Sequence, residues 1–412
     1  MDQEEFGRVA ASFATFHAQF APLFGRKEAQ RRSEQYLRGL LVQQTDRRNA
    51  ENVAETIEGA TPRALQRLLT EAPWPTAPVI DHLQAYVGAR LNTPEGVFVI
   101  DESGFPKQGT KSVGVARALA RCRAAGVPEG VGYQSTADLA LDMLRRARAA
   151  GHLQGHWVAG DDAYGMVPTL RDALDAEGWT YVLAVPQTTP VFTQPAPTVV
   201  PPWSGRGRKP TKPRLAPGAP SPRTVQDVAT SLAPSAWQEL TVAEGAQGPR
   251  TYQFAALRVW ESRDGLPGRA CWLLLRRNLD GSEPRYYLSN APAETPLLTL
   301  AQVAAARWVI ETEIQTAKGE TGLDEYEVRS WPGWHHHITL GLLAGAFLLT
   351  LQQDWGGKDA PDHTPASQSG AARAPAAAHL DRGGPAPVAG HDPRAQRTRQ
   401  TVTHQASPPQ AA

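Results

Sequence analysis

Between residues 96 and 186 the chain alternates short apolar runs with amphipathic stretches, and this pattern limits the possible fold more than any other feature. GVFVID (96–101) is rich in β-branched residues, is bounded by turn formers, and reads as a buried strand. ADLALDMLRRARAAG (137–151) predicts an amphipathic helix with Leu139, Ala140, Met143, Leu144 and Ala147 on one side and Gly151 as its stop. HWVAG then reads as a second strand, TLRDALDAEG as a further helix, and YVLAVP (181–186) as a third strand. Strands and helices in this order build an α/β layer.

The flanks differ in texture. Residues 1–90 predict helices. Phe13, Phe16, Phe20 and Phe24 recur at steps of three and four, an apolar face whose plain use is core packing. TPRALQRLLTEA opens a later helix with Thr61 as cap and Pro62 in the first turn. Residues 193–236 are rich in Pro, Ser, Thr and Arg without periodicity and read as loop or linker. RTYQFAALRVW, ACWLLLRRN and RYYLSNA follow as strands separated by the turn-like RDGLPG and DGSEP, and helix returns with LTLAQVAAARWVIETEIQTAKGE and a second apolar stretch at 338–351. After Asp354 few large apolar residues remain, so 356–412 is expected to be disordered.

Charge and cysteine content exclude several classes. Lys and Arg number 42 against 41 for Asp and Glu, so net charge selects no partner. Local runs are more telling. One spans 26–48, and another carries Arg206, Arg208, Lys209 and Lys212; either can meet phosphates, although a solvated face is the commoner use of such a run. Cys122 and Cys271 have no paired spacing, which argues against a disulfide framework or a thiolate zinc site. MDQEEFGRVAASF is no signal peptide, and ITLGLLAGAFLL is shorter than the roughly 18–20 residues of a membrane span, so a soluble cytoplasmic protein is expected. His335, His336 and His337 point about 100° apart on a helix and cannot share one ion.

Three acids carry the chemistry. Asp101 ends the first strand, Asp161 (or Asp162) follows the second, and Glu311 lies in the helical RWVIETEIQTAKGE. Arg307 lies four residues before Glu311 and Lys318 seven after it, so all three share a helix face, whereas Glu313 is about 200° round from Glu311. Carboxylates from two strand ends and one helix can converge on divalent ions, because hard cations take oxygen ligands.

The spacing R-(3)-E-(6)-K around Glu311 resembles the signature of DDE transposases of the insertion-sequence 4 superfamily. APLFGRKEAQRRSEQYLRGLL, DESGFPKQGTKSVGVAR, GDDAYG, YVLAVP and IETEIQTAKGETGLDEYEVRSWPGWHHHITL are similar to its insertion-sequence 701 branch, in blocks from about residue 20 to 350. The resemblance implies an α/β fold with an RNase H-like catalytic core, a helical N-terminal domain and a β-rich insertion. The implied boundaries are 1–90 for the helical DNA-binding region, 91–192 for the first part of the core, 193–290 for the insertion, 291–355 for the C-terminal helices and 356–412 for the tail. It also implies Asp101, Asp161 and Glu311 as catalytic ligands of Mg²⁺ or Mn²⁺. The family places its Asp directly after the Gly, which favours Asp161 over Asp162. Arg307, Lys318 and the loop bearing Arg206, Arg208, Lys209 and Lys212 are the implied DNA contacts, with Trp203 as a stacking residue. Double-stranded DNA is the implied partner, as element terminal inverted repeats and target, bound by a homodimer.

The chain departs from that pattern at two places. Ala304 stands where the superfamily has Tyr. Between Asp101 and Asp161 the segment ALARCRAAGVPEGVGYQSTADLALDML shows no strand alternation, although an RNase H-like core needs two further strands there. A strand pair is therefore expected to be missing, which makes an internally deleted, inactive remnant the alternative to a working enzyme.

Overall fold

A computed structural model describes residues 3–42, 47–91, 93–102, 125–245 and 248–355. The N-terminal helices are α1 (Gln3–Phe20), α2 (Lys27–Val42), α3 (Ala50–Thr56), α4 (Pro62–Thr70) and α5 (Thr76–Leu91). Asn49 accepts hydrogen bonds from the Glu51 and Asn52 N–H groups to start α3, and Thr61 accepts from Ala64 to start α4, as their short polar side chains favour. Phe13, Phe16, Phe20 and Phe24 are all buried in one cluster.

The strand–helix alternation forms β1 (Val97–Ile100), α6 (Thr136–Ala150), β2 (Trp157–Gly160), the single turn α7 (Asp162–Gly165), α8 (Pro168–Ala176) and β3 (Thr180–Val185). The three strands are parallel neighbours, with Ile100 opposite Gly160 and Gly160 opposite Leu183. Helix α6 corrects one expectation. Its buried stripe is Ala137, Ala140, Leu141, Leu144 and Ala147, while Leu139 and Met143 are exposed. A Ser135–Asp138 capping box fixes where the helix begins, and the buried stripe runs through Ala137 and Leu141 instead of Leu139 and Met143.

Downstream come β4 (Pro190–Phe192), β5 (Thr198–Val199), β6 (Arg214–Leu215), β7 (Arg223–Thr224), α9 (Val225–Thr230), β8 (Gln238–Gly245), β9 (Gly248–Arg263), β10 (Leu266–Arg277) and β11 (Arg285–Ser289). The stretch read as linker thus holds short strands and one short helix, too brief for any period to show in sequence. The described strands build one sheet in the order β1-β2-β3-β11-β10-β9-β4-β7, with β8 also pairing β9; β5 and β6 form a separate ladder. β11 runs antiparallel to β3, so the strands of the 193–290 block extend the parallel trio directly. The β9–β10 hairpin turns at Asp264 and Gly265, both at positive φ, as a twist-matched two-residue turn needs.

Helix α10 (Leu297–Thr321) covers one face, where Leu300, Ala301, Val303 and Ala304 pack against Trp157, Ala159, Val182, Phe254 and Leu274. Ala304 is part of that contact. Helices α6 and α8 cover the other face. The final helix, α11 (Trp331–Trp355), inserts Leu340, Leu343, Ala344 and Phe347 into the N-terminal helical cluster. Among the described residues no helix is long and apolar enough to cross a membrane. The segment read as lacking a strand pair, 118–144, is described only from residue 125, where it runs as turns and then the start of α6; its first part and the expected disordered tail, 356–412, lie outside the described residues.

A candidate active site at the carboxyl edge of the sheet

Asp101 and Asp161 follow directly on Ile100 and Gly160, which face each other across the parallel β1–β2 pair. The two carboxylates therefore emerge side by side from adjacent strand ends. Strand alternation gives their side. Val97, Val99, Trp157 and Ala159 belong to the cluster under α10, so the odd-numbered Asp101 and Asp161 continue onto the same face.

The motif GDDAYG has a steric reason. A Cβ on Gly160 would lie 2.8 Å from Ile100 Cγ1 and 3.1 Å from Leu183 Cδ2. One on Gly165 would lie 1.8 Å from the Ala184 carbonyl oxygen. Both positions must be glycine for the turn after β2 to sit tightly on the sheet. Within that turn Asp161 Oδ1 accepts the Ala163 N–H at 3.0 Å, capping α7. Asp101 Oδ1 accepts the Glu102 N–H at 2.9 Å. Asp162, the alternative second acid, is exposed on the first turn of α7, while Asp161 is half-buried.

Beneath these acids lies Tyr164, whose phenol is pushed up to about 12, first by burial and then by the negative charges of Glu102, Asp161 and Asp101. Glu102 directly follows Asp101, and Tyr164, in the turn that Asp161 caps, packs into the cluster on the other face of the sheet; the sequence reading singled out neither. The signal was present: Glu102 adjoins Asp101, and Tyr164 sits inside GDDAYG.

Glu311 lies on α10, where its Oε1 is 2.7 Å from Arg307 Nη2 in a half-exposed pair. Lys318 is half-buried two turns further on. Among the described residues no group of three or more His, Cys, Asp or Glu side chains is placed to hold one metal ion. The structure thus brings Asp101 and Asp161 together but does not bring Glu311 to them. The three histidines occupy separate environments. His336 stacks on Trp74 and bonds the Leu69 and Trp74 carbonyls, His337 bonds Tyr36 and Gly322, and His335 lies between Trp331 and Trp334.

The two basic runs differ. In 26–48, Arg32 pairs with Glu28, Arg38 with Glu34, and the buried Arg48 with Glu325, so much of that charge is neutralised within the protein. Arg206, Arg208, Lys209 and Lys212 are all exposed on the loop between β5 and β6. Trp203, 52% exposed, donates its indole N–H to the Gly207 carbonyl at 3.2 Å and closes that loop.

A profile of the DDE superfamily endonucleases matches residues 19–120 and 118–249, two pieces that meet at 118–120 and together span more than half of the chain. Asp101 and Asp161 fall within the match; Arg307, Glu311 and Lys318 lie beyond it. No curated protein matches the chain. Acids on adjacent parallel strand ends and the family match over the same residues lead to one conclusion: the chain belongs to the DDE superfamily of endonucleases.

Proposed function

We propose that this protein is a transposase of a bacterial insertion sequence, of the insertion-sequence 4 superfamily and its 701 type, which cleaves DNA at element ends and joins them to a target. The observation that carries this reading is the pair Asp101 and Asp161 on adjacent carboxyl ends of parallel strands, on the face that α10 covers. Two oxygen-donor carboxylates suit a hard ion such as Mg²⁺ or Mn²⁺. Such an ion, when bound, supplies Lewis acidity and lowers the pKa of water. Asp101 and Asp161 would hold it, and Glu311 would complete the set once it leaves its ion pair with Arg307. That release would free the Arg307 guanidinium for a phosphate oxygen, with Lys318 as a second cation. The exposed loop with Arg206, Arg208, Lys209 and Lys212 would follow the backbone of double-stranded DNA. The RNase H-like core, a homodimer on paired ends and a cytoplasmic setting belong to the same reading.

The test is a strand-transfer assay with purified protein on the element's own terminal inverted repeats in Mg²⁺. Cleavage and joining are expected, and activity that survives Glu311→Ala would refute the assignment. A second reading, an inactive remnant that at most binds DNA, is favoured by the unassembled third acid and the broken family match. Any cleavage by the purified wild-type protein would sink it.

A further inference from the structure

The edge of the sheet that presents Asp101 and Asp161 does not stop at the parallel strands. β11 is antiparallel to β3 with Tyr286 opposite Val185, so Arg285, at the start of β11, stands at the carboxyl end of β3. Arg276 is directly opposite Arg285, and Phe254 is directly opposite Arg276, so the end of β10 and the start of β9, with Tyr252 and Arg250, lie at the same edge. Arg250, Tyr252, Arg276 and Arg285 alternate in phase with Phe254, Leu274 and Tyr287 of the cluster under α10. They share the aspartates' face as well as their edge.

These arginines have few counter-charges. Among the described residues Arg250, Arg276 and Arg285 form no ion pair, and Arg307 has Glu311 alone. Arg276 and Arg285 are like charges directly opposite across a strand pair, an arrangement that destabilises a sheet unless an anion bridges it. The Arg276 Nε is buried with no hydrogen-bond partner. Two of the guanidinium groups lie over rings instead: Arg276 over Tyr252 at 4.4 Å, and Arg250 over Trp308 of α10 at 3.1 Å, with Trp308 42% exposed. Burial raises the pKa of the Tyr287 phenol, and the charges of Arg276, Arg307 and Arg285 oppose that rise.

We infer that Arg285, Arg276 and Arg250 form a track for a DNA backbone along the carboxyl edge of the sheet, leading away from Asp101 and Asp161 under α10, with Trp308 as a stacking surface at its far end. At about 4.8 Å per strand the track begins about 10 Å from Asp161 at β11 and reaches about 19 Å at β9, which suits successive phosphates of one strand. The Arg250 and Arg276 guanidinium groups, already placed over rings, present their outer N–H groups to phosphate oxygens with little further ordering. The inference rests on the proposed DNA-processing role and adds where the strand runs.

The test is fluorescence anisotropy on a labelled random-sequence duplex across a salt series, because phosphate contacts do not read sequence. Arg276→Gln/Arg285→Gln should lower the magnitude of the slope of log K against log salt by about 1.8, two contacts at about 0.9 each, and weaken binding at least tenfold at low salt. Arg285→Glu should abolish binding while raising the melting temperature, since it turns a like-charged cross-strand pair into an ion pair. A structural role alone would move binding and stability together. Arg146→Gln, an exposed position on α6 at the opposite face of the sheet, is the control for loss of a surface charge. If the wild type binds DNA and the double variant keeps its affinity and slope, the track is refuted while the proposed function stands. If the wild type binds no DNA, both fall.

Discussion

Replacing either member of the Arg171–Glu261 pair should be among the costliest single changes in this protein. Arg171 on α8 and Glu261 on β9 are 5% and 2% exposed, with Nε 3.2 Å from Oε1. Arg171 Nη1 also donates to the Gly165 carbonyl, at the end of the turn that Asp161 caps. Glu261 has a second partner in Arg263, which keeps Asp172 at 3.0 Å as a fallback. Glu261→Leu strands the Arg171 charge without its carboxylate, and Arg171→Met leaves Glu261 held by Arg263 alone; breaking a buried pair from one side costs about 3–5 kcal/mol. The double variant buries two apolar side chains and loses the bond to Gly165, at about 1–3 kcal/mol. The two single costs should therefore exceed that of the double by at least about 3 kcal/mol in a double-mutant cycle. Urea unfolding followed by tryptophan fluorescence reads all four proteins. Single costs under about 1 kcal/mol, or strict additivity, would refute the reasoning, because either would mean the charges are solvated.

Three further outcomes follow from the geometry. Gly165→Ala, which drives a Cβ to within 1.8 Å of the Ala184 carbonyl, should cost about 1–3 kcal/mol or more in the same unfolding assay; an unchanged midpoint would show that the turn after β2 is loosely held. Burial lowers the His17 and His335 pKa values, so the unfolded chain binds more protons below its own value of about 6.5. Stability present above that pH should fall as pH drops through it, and a melting temperature flat from pH 7 to 5 would contradict this. Mn²⁺ at a hundred times its Kd should add about 2.7 kcal/mol to wild-type stability and nothing to Asp161→Asn, a change that keeps the α7 cap; equal stabilisation of both would remove Asp161 from the ion's ligands.

The sequence made some parts of this molecule legible and hid others for physical reasons. The phenylalanine stripe of α1 and the apolar runs of β1, β2 and β3 carried their periods openly, because each buries a full face. GDDAYG marked its turn, since only glycine tolerates the Ala184 carbonyl and the Ile100 side chain so near. The buried face of α6 was read correctly at Ala140, Leu144 and Ala147 and wrongly at Leu139 and Met143, which face solvent while Ala137 and Leu141 complete the stripe. The position of Glu311 relative to the aspartates could not be read from helical phase, which orders residues on one helix but says nothing of where that helix sits. The arginine row was invisible for a related reason: Arg250, Arg276 and Arg285 lie on three strands and become neighbours only through cross-strand register.

The placing of α11 among the N-terminal helices sets a schedule for synthesis. Tyr36 bonds His337, 301 residues later, and Phe13 packs edge-on against Phe347. At about 5–20 residues per second, roughly 15–60 s separate the emergence of those partners from the ribosome. Through that interval Phe13 and Phe16 have no lid, and the sheet must form before the helical cluster can close. A message truncated between residues 290 and 330 would yield a chain with its aspartates and sheet strands made and a row of aromatic rings left open to whatever apolar surface comes first.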